Sequence, residues 1–249
     1  MTTATTTQNT PGIYEGLPFD AYQASDALSF SDLEAWVRGK PKNLGRRGLV
    51  PSVLHCLVLE GKDATAARYV KLDANYDLRM REGREAVAQV AAKTGKQPIK
   101  PTEWAEVVAM YKSIMACEDI RKALGRPSKR EVCIRTQVEG YHTLTKARLD
   151  ILCDDVIIDL KTTHCIDRDE FIDSIVQYNY AARAAFYIDN VAAVTGKYLP
   201  FEWICVSTRP PQYNTWRLRC SHEREAFGRK YYQTILRLYK RYEKEHENE

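Results

Sequence analysis

A chain of 249 residues with 44% hydrophobic and 28% charged residues can bury a sizeable core and is ordinary for a soluble globular domain. Its formal net charge of +4 permits a nucleic-acid partner without demanding one, and no stretch nears the ~18 apolar residues of a membrane span. The seven cysteines are scattered and form no CxxC, which excludes zinc-finger and disulfide-framework readings and favours a reducing, cytoplasmic compartment.

The polar, Thr-rich residues 1–10 lack the basic and apolar parts of a signal peptide and read as a disordered tail, leaving one domain over 11–249. Residues 11–28, with Pro11, Gly12, Gly16 and Pro18, read as an extended lead-in. Residues 29–39 form a short predicted helix with Ser31 as its cap and Gly39 as its stop. Pro51 and Gly61 bracket a second helix. Residues 77–94 are charged and Ala-rich, hence helical, and 94–101 form a loop with two prolines. A long amphipathic helix follows over 102–125, opened by Thr102 and closed by Gly125.

The texture then turns to β-branched alternation, which predicts strands at 131–139, 144–153 and 156–161. Residues 168–194 return to helix, with Phe171, Ile175, Tyr178 and Ala182 on one stripe. Two more strands, "FEWICVS" and "TWRLRC", flank "TRPPQYN". A charged helix closes the chain and frays at its end. One α/β domain with a helical N-terminal part is the economical architecture.

Chemistry concentrates in "KARLDILCDDVIIDLKTTH", residues 146–164. If Asp154-Asp155 is a two-residue turn, Cys153 faces Val156, Ile151 faces Ile158 and Asp150 faces Asp159. Strand alternation then puts Leu149, Ile151, Cys153, Val156, Ile158 and Leu160 on an apolar face, and Arg148, Asp150, Asp159 and Lys161 on the other. Two carboxylates directly opposite repel unless something compensates. A shared divalent cation would do so, and hard oxygen donors suit Mg²⁺ or Mn²⁺. Lys161, on the same face, could orient a water or stabilise charge on a phosphate. The same pattern also suits a solvated strand face with a salt bridge such as Arg148–Asp150. Asp-Asp is not a favoured hairpin turn, and a shift of two residues would keep the face but lose the direct pairing.

The block Arg148-Leu-Asp150 followed by Asp159-Leu-Lys161-Thr-Thr resembles the PD-(D/E)xK nuclease core. More narrowly, the chain is similar to the RecE-type exonuclease (exodeoxyribonuclease VIII) of phages and prophages. The segments 11–33, 54–61, 94–110 and 180–187 resemble that family's blocks in order, and Glu131 opens a strand as a family glutamate does. Gln23 stands where the family has a histidine, and Arg183 where it has a glutamine.

The resemblance implies a restriction-endonuclease-like α/β fold, a mixed central sheet flanked by helices. It implies Asp150, Asp159 and the Leu160 carbonyl as metal ligands, Lys161 as the catalytic lysine and His55 as a ligand from the N-terminal helix. Glu131 would serve a second metal, giving two ions per site. Arg148, Tyr180 and Arg183 would contact DNA, and Tyr187 would pack in the core. The implied activity is Mg²⁺-dependent 5′→3′ digestion of one strand at the ends of linear duplex DNA, leaving 3′ overhangs. Implied partners are a single-strand annealing recombinase and further copies of the chain in a ring, in the cytoplasm of a bacterial host. Two alternatives stand beside it: another RecB/Cas4-like nuclease without an iron–sulfur cluster, and a catalytically silent DNA-binding module of the same fold.

Overall fold

The computed structural model describes residues 10–39, 48–137 and 144–246. The tail expected over 1–10 lies outside the described residues except for Thr10, as do the last residues of the strand expected over 131–139 and the fraying end of the last helix.

In chain order the elements are β1 (Gly12–Tyr14), α1 (Phe19–Gln23), α2 (Phe30–Arg38), α3 (Leu49–Leu59), α4 (Lys62–Arg68), β2 (Tyr69–Lys71), α5 (Arg81–Thr94) and β3 (Gln97–Ile99). Then come α6 (Pro101–Ala116), α7 (Glu118–Leu124), β4 (Lys129–Gln137), β5 (Leu144–Leu152), β6 (Ile157–Thr163), α8 (Arg168–Gln177), α9 (Tyr180–Thr195), β7 (Phe201–Ser207), β8 (Thr215–Arg219) and α10 (His222–His246). Local chemistry sets several ends. Ser29, not Ser31, caps α2: it forms a capping box with Asp32, and Gly39 closes the helix in the left-handed region at φ 60°. Asp167 caps α8 by accepting from the Asp169 and Glu170 amides.

Two expected helices are each divided. The one expected over 102–125 breaks at Cys117, whose extended ψ of 110° separates α6 from α7. The one expected over 168–194 breaks at Asn179, which takes a left-handed φ of 53°, a conformation asparagine tolerates better than most residues. Tyr178, expected on the buried stripe, is therefore exposed at that break. The short strands β1 and β3 fall in stretches that read as lead-in and loop, and β2 falls between the two helices expected at 51–61 and 77–94.

Six strands form one mixed sheet in the order β1-β4-β5-β6-β7-β8. All neighbours are antiparallel except β6 and β7, which run parallel across the α8–α9 crossover. Helices cover both faces, as expected. One core packs Phe30, Val132, Ala147, Leu149, Phe171, Phe186 and Trp203 on the side of α2, α8, α9 and α10. The other packs Leu54, Val107, Ile151, Ile158, Leu160 and Ile204 on the side of α3, α6 and α7. Among the described residues no helix is long and apolar enough to cross a membrane.

One correction bears on the site. Leu149 does not share a face with Ile151; it packs in the α9-side core, while Ile151 packs in the α3-side core. Alternation breaks at Asp150. On the neighbouring strand Glu131 takes a left-handed φ of 51° at the position the ladder leaves open opposite Asp150. The sheet is locally re-aimed there.

Candidate active site

The β5–β6 hairpin forms in the expected register. The Cys153 amide donates to the Val156 carbonyl at 3.0 Å, and Ile151 lies opposite Ile158. Beyond that pair the ladder stops. Instead of strand pairing between Asp150 and Asp159, the Leu160 amide donates to Asp150 Oδ2 at 2.7 Å. The amide and carbonyl of one strand residue point to the same edge. The Leu160 carbonyl therefore opens on the same gap.

Asp159 is buried on β6, and its Oδ2 accepts no hydrogen bond of good geometry. It is held by an ion contact with the Lys161 ammonium instead. Lys161 Nζ in turn sits 5.6 Å from the centroid of the Tyr180 ring. Tyr180 stacks on Phe171, and burial pushes its phenol up to about 12. Asp150 is held well above the ordinary carboxylate range, first by burial and then by the Asp159 carboxylate; Lys161 and the Leu160 amide pull the other way.

Helix α3 brings His55 over this gap, with Nδ1 3.8 Å from Asp150 Oδ2. Burial and the Lys161 ammonium lower its pKa to about 4, against Asp159 and a hydrogen bond to the Leu160 backbone. The imidazole is thus neutral in ordinary buffers and able to donate a lone pair to a metal. Glu131 faces the same region from β4. Its Oε2 accepts from Arg148 Nε at 2.6 Å.

The structure gives Arg148 an internal use. Besides Glu131, it donates to the Leu17 carbonyl at 2.8 Å and to Cys133 Sγ at 3.4 Å, and it lies over the Phe19 ring. The sequence suggested a pair with Asp150; the twist at Glu131 gives the pair to Glu131 instead. Arg183 projects from α9 and bonds Glu34 of α2 at 3.2 Å. Sequence patterns give no hint of Glu34, which sits in an ordinary amphipathic helix. Tyr187 packs against Phe186 and Phe201, as core packing requires.

A cleft of about 1270 Å³ opens above these groups. His55, Glu131, Arg148, Asp150, Arg183 and Tyr187 line it, whereas Asp159 and Lys161 do not and lie deeper. The donor set suits a hard divalent cation: two carboxylates, a backbone carbonyl and a neutral imidazole. The crowded charge fits as well, since Asp159 Oδ2 is buried without a hydrogen bond, and burial and the Asp159 carboxylate hold the Asp150 carboxyl above its ordinary range. Among the described residues, however, no three His, Cys, Asp or Glu side chains converge into a ready-made cage. Lys161 and the Leu160 amide hold the two aspartates in its stead.

Residues 38–248 match the PDDEXK-like domain of unknown function (DUF3799). The chain belongs to this family. The expected PD-(D/E)xK core is thereby borne out, and the PDDEXK-like fold has solved counterparts. A candidate exonuclease from Eubacterium rectale has a TM-score of 0.63 at 14% identity, over 89% of this chain and 85% of that one; at this identity the likeness concerns fold alone. An alkaline exonuclease from Laribacter hongkongensis, 18% identical over 65% of this chain and 81% of its own, has a TM-score of 0.29, too low to carry an argument. No curated protein matches the chain significantly.

Proposed function

We propose that this PDDEXK-like protein is a divalent-metal-dependent exodeoxyribonuclease. It digests one strand of linear duplex DNA from the 5′ end and leaves 3′ overhangs for recombination by strand annealing. One observation carries the reading: Asp150, Asp159 and Lys161 gather where the β5–β6 ladder opens, beneath a cleft lined by His55 and Glu131.

Asp150, Asp159, the Leu160 carbonyl and His55 are the donors for Mg²⁺, or Mn²⁺ in its place, and Glu131 is available to a second ion. When bound, such an ion neutralises charge on the phosphate and acidifies its water. Lys161 is a positioned cation: Asp159 and the Tyr180 ring fix its ammonium, so its donors can orient the attacking water and meet charge developing on the phosphate. Glu131, clamped by Arg148, keeps a carboxylate at the cleft wall. The wider setting follows the family resemblance: a phage- or prophage-encoded enzyme in the bacterial cytoplasm, a ring-shaped homo-oligomer around DNA, and a single-strand annealing protein as partner.

The test is digestion of linear duplex DNA with 5′-phosphate ends, with and without Mg²⁺, beside a covalently closed circle. Loss of the linear species alone, only with metal, is expected, with 3′ overhangs among the early products. Intact linear DNA in both Mg²⁺ and Mn²⁺ overturns the reading; cutting of the circle makes the protein an endonuclease.

A further inference from the structure

Arg183 is the cleft cation whose bonding leaves most of its donors unspent. A single hydrogen bond holds its guanidinium among the described residues, from Nη2 to Glu34 Oε2 at 3.2 Å. Its face rests on the buried Phe30 ring, 5.7 Å from the centroid. Glu34 is itself fixed by the Asn179 amide at 3.3 Å and by Arg38 at 3.4 Å. Burial works against the Arg183 charge, but Tyr187, Glu34 and Asp159 outweigh it and raise its pKa. The guanidinium thus senses the deep aspartate while lining the cleft with His55 and Asp150.

By contrast, the other cleft cations are committed to the fold. Arg68 pairs with Glu60, and Arg130 donates to the carbonyls of Val58, Leu59 and Leu124. Lys146 donates to the carbonyls of Gln23 and Ser25, and Arg148 to Glu131 and Leu17. Six of these bonds end on backbone carbonyls of the fold. Arg183 alone is pinned by a carboxylate at Nη2 only, with its Nε and Nη1 donors left over among the described residues. A planar guanidinium held at one nitrogen and on one face is pre-organised to offer its remaining donors to an oxyanion.

We propose that Glu34 and Arg183 act as a pair: Glu34 is a positioning residue that pins one arm of Arg183, and the other arm takes a non-bridging oxygen of a DNA phosphate beside Asp150 and Asp159. The proposal rests on the nuclease reading and deepens it. Arg183 becomes the substrate contact, and Glu34 acts only through it.

The test pairs binding and turnover in wild type, Arg183→Gln, Arg183→Lys, Glu34→Ala and the double variant Glu34→Ala/Arg183→Gln. Binding to labelled duplex DNA is read in EDTA, where hydrolysis stops, over a range of salt. Arg183→Gln should weaken binding about tenfold, as loss of a charge-assisted bond does. It should also flatten the dependence of log Kd on log salt by about one unit. Arg183→Lys should keep the salt slope yet raise KM, because the fork is lost. Glu34→Ala should raise KM and, in the double variant, add nothing to Arg183→Gln, whereas an independent structural role would add its own loss. The pair is overturned if Arg183→Gln keeps wild-type affinity and salt slope, or if the two losses add. A wild type that neither binds nor digests DNA overturns the nuclease reading itself; an active wild type with an indifferent Arg183→Gln overturns only the pair.

Discussion

At the scale of single residues, Asp150 and His55, which face each other at 3.8 Å, pull stability in opposite directions. The Asp150 carboxyl lies well above its ordinary 3.8, so it binds its proton more tightly folded than unfolded. Such a group loses stability as pH rises from 3.8 toward its raised folded-state pKa. Asp150→Asn removes the charge but keeps an oxygen for the Leu160 amide. We expect it to raise the metal-free melting temperature at neutral pH by a few degrees, to lose that advantage below the carboxylate range, and to abolish metal-dependent digestion. A variant no more stable than wild type at neutral pH would remove the repulsion from the account. His55 behaves oppositely. With its pKa lowered from 6.5 to about 4, the folded state prefers the neutral ring, and the stability this ring contributes declines as pH falls below 6.5 toward 4. Imidazole is a softer donor than Mg²⁺ prefers. His55→Ala should therefore lose activity in Mg²⁺ and regain part of it in Mn²⁺, while the wild-type acid limb contains no step centred near 6.5. A rate profile with such a step, absent from His55→Ala, would show a ring far more solvated than this one.

At the scale of elements, the site exists because a hairpin opens. Its register was legible from the sequence: Asp154-Asp155 as the turn puts Ile151 opposite Ile158, and the two cores on either side of the sheet keep it there. The loss of alternation at Asp150 was not legible, because period-two reasoning assumes an unbroken pleat. The left-handed Glu131 in the adjoining strand is invisible in a run of β-formers. For the same reason the Arg148–Glu131 pair replaced the Arg148–Asp150 pair that spacing suggested. Asn179 and Cys117 hid two helix breaks, since neither is a strong breaker by composition. The candidate ligands, by contrast, could be named, because carboxylates within buried strands stand out against their surroundings. The opened hairpin makes a local prediction. Past Ile158 the link from β6 back to β5 is the bond from the Leu160 amide to Asp150, so hydrogen exchange at Leu160 should accelerate by an order of magnitude or more in Asp150→Ala and stay slow in Asp150→Asn. Equal exchange in both variants would mean that something other than Asp150 protects this amide.

At the scale of the whole molecule, the question is how a chain of net charge +4 holds a polyanion. Among the described residues of the cleft, Arg68, Arg130, Lys146 and Arg148 are tied to carboxylates or carbonyls of the fold, which leaves Arg183 and the deep Lys161 to meet phosphates. Each phosphate neutralised contributes about −0.9 to the slope of log K against log salt. One chain acting alone through this cleft should therefore show a slope of only about −2. A ring of copies around a duplex would add cations from surfaces outside the cleft and steepen the slope well beyond that. The two arrangements separate in one experiment: salt-dependent binding of duplex DNA, with sedimentation of the same samples to count subunits. We expect a steep slope from an assembled species, and dilution below its association threshold should return the slope toward the shallow value. A shallow slope from a sedimenting monomer that still digests duplex ends would sink the ring and leave the cleft of a single subunit as the whole binding surface.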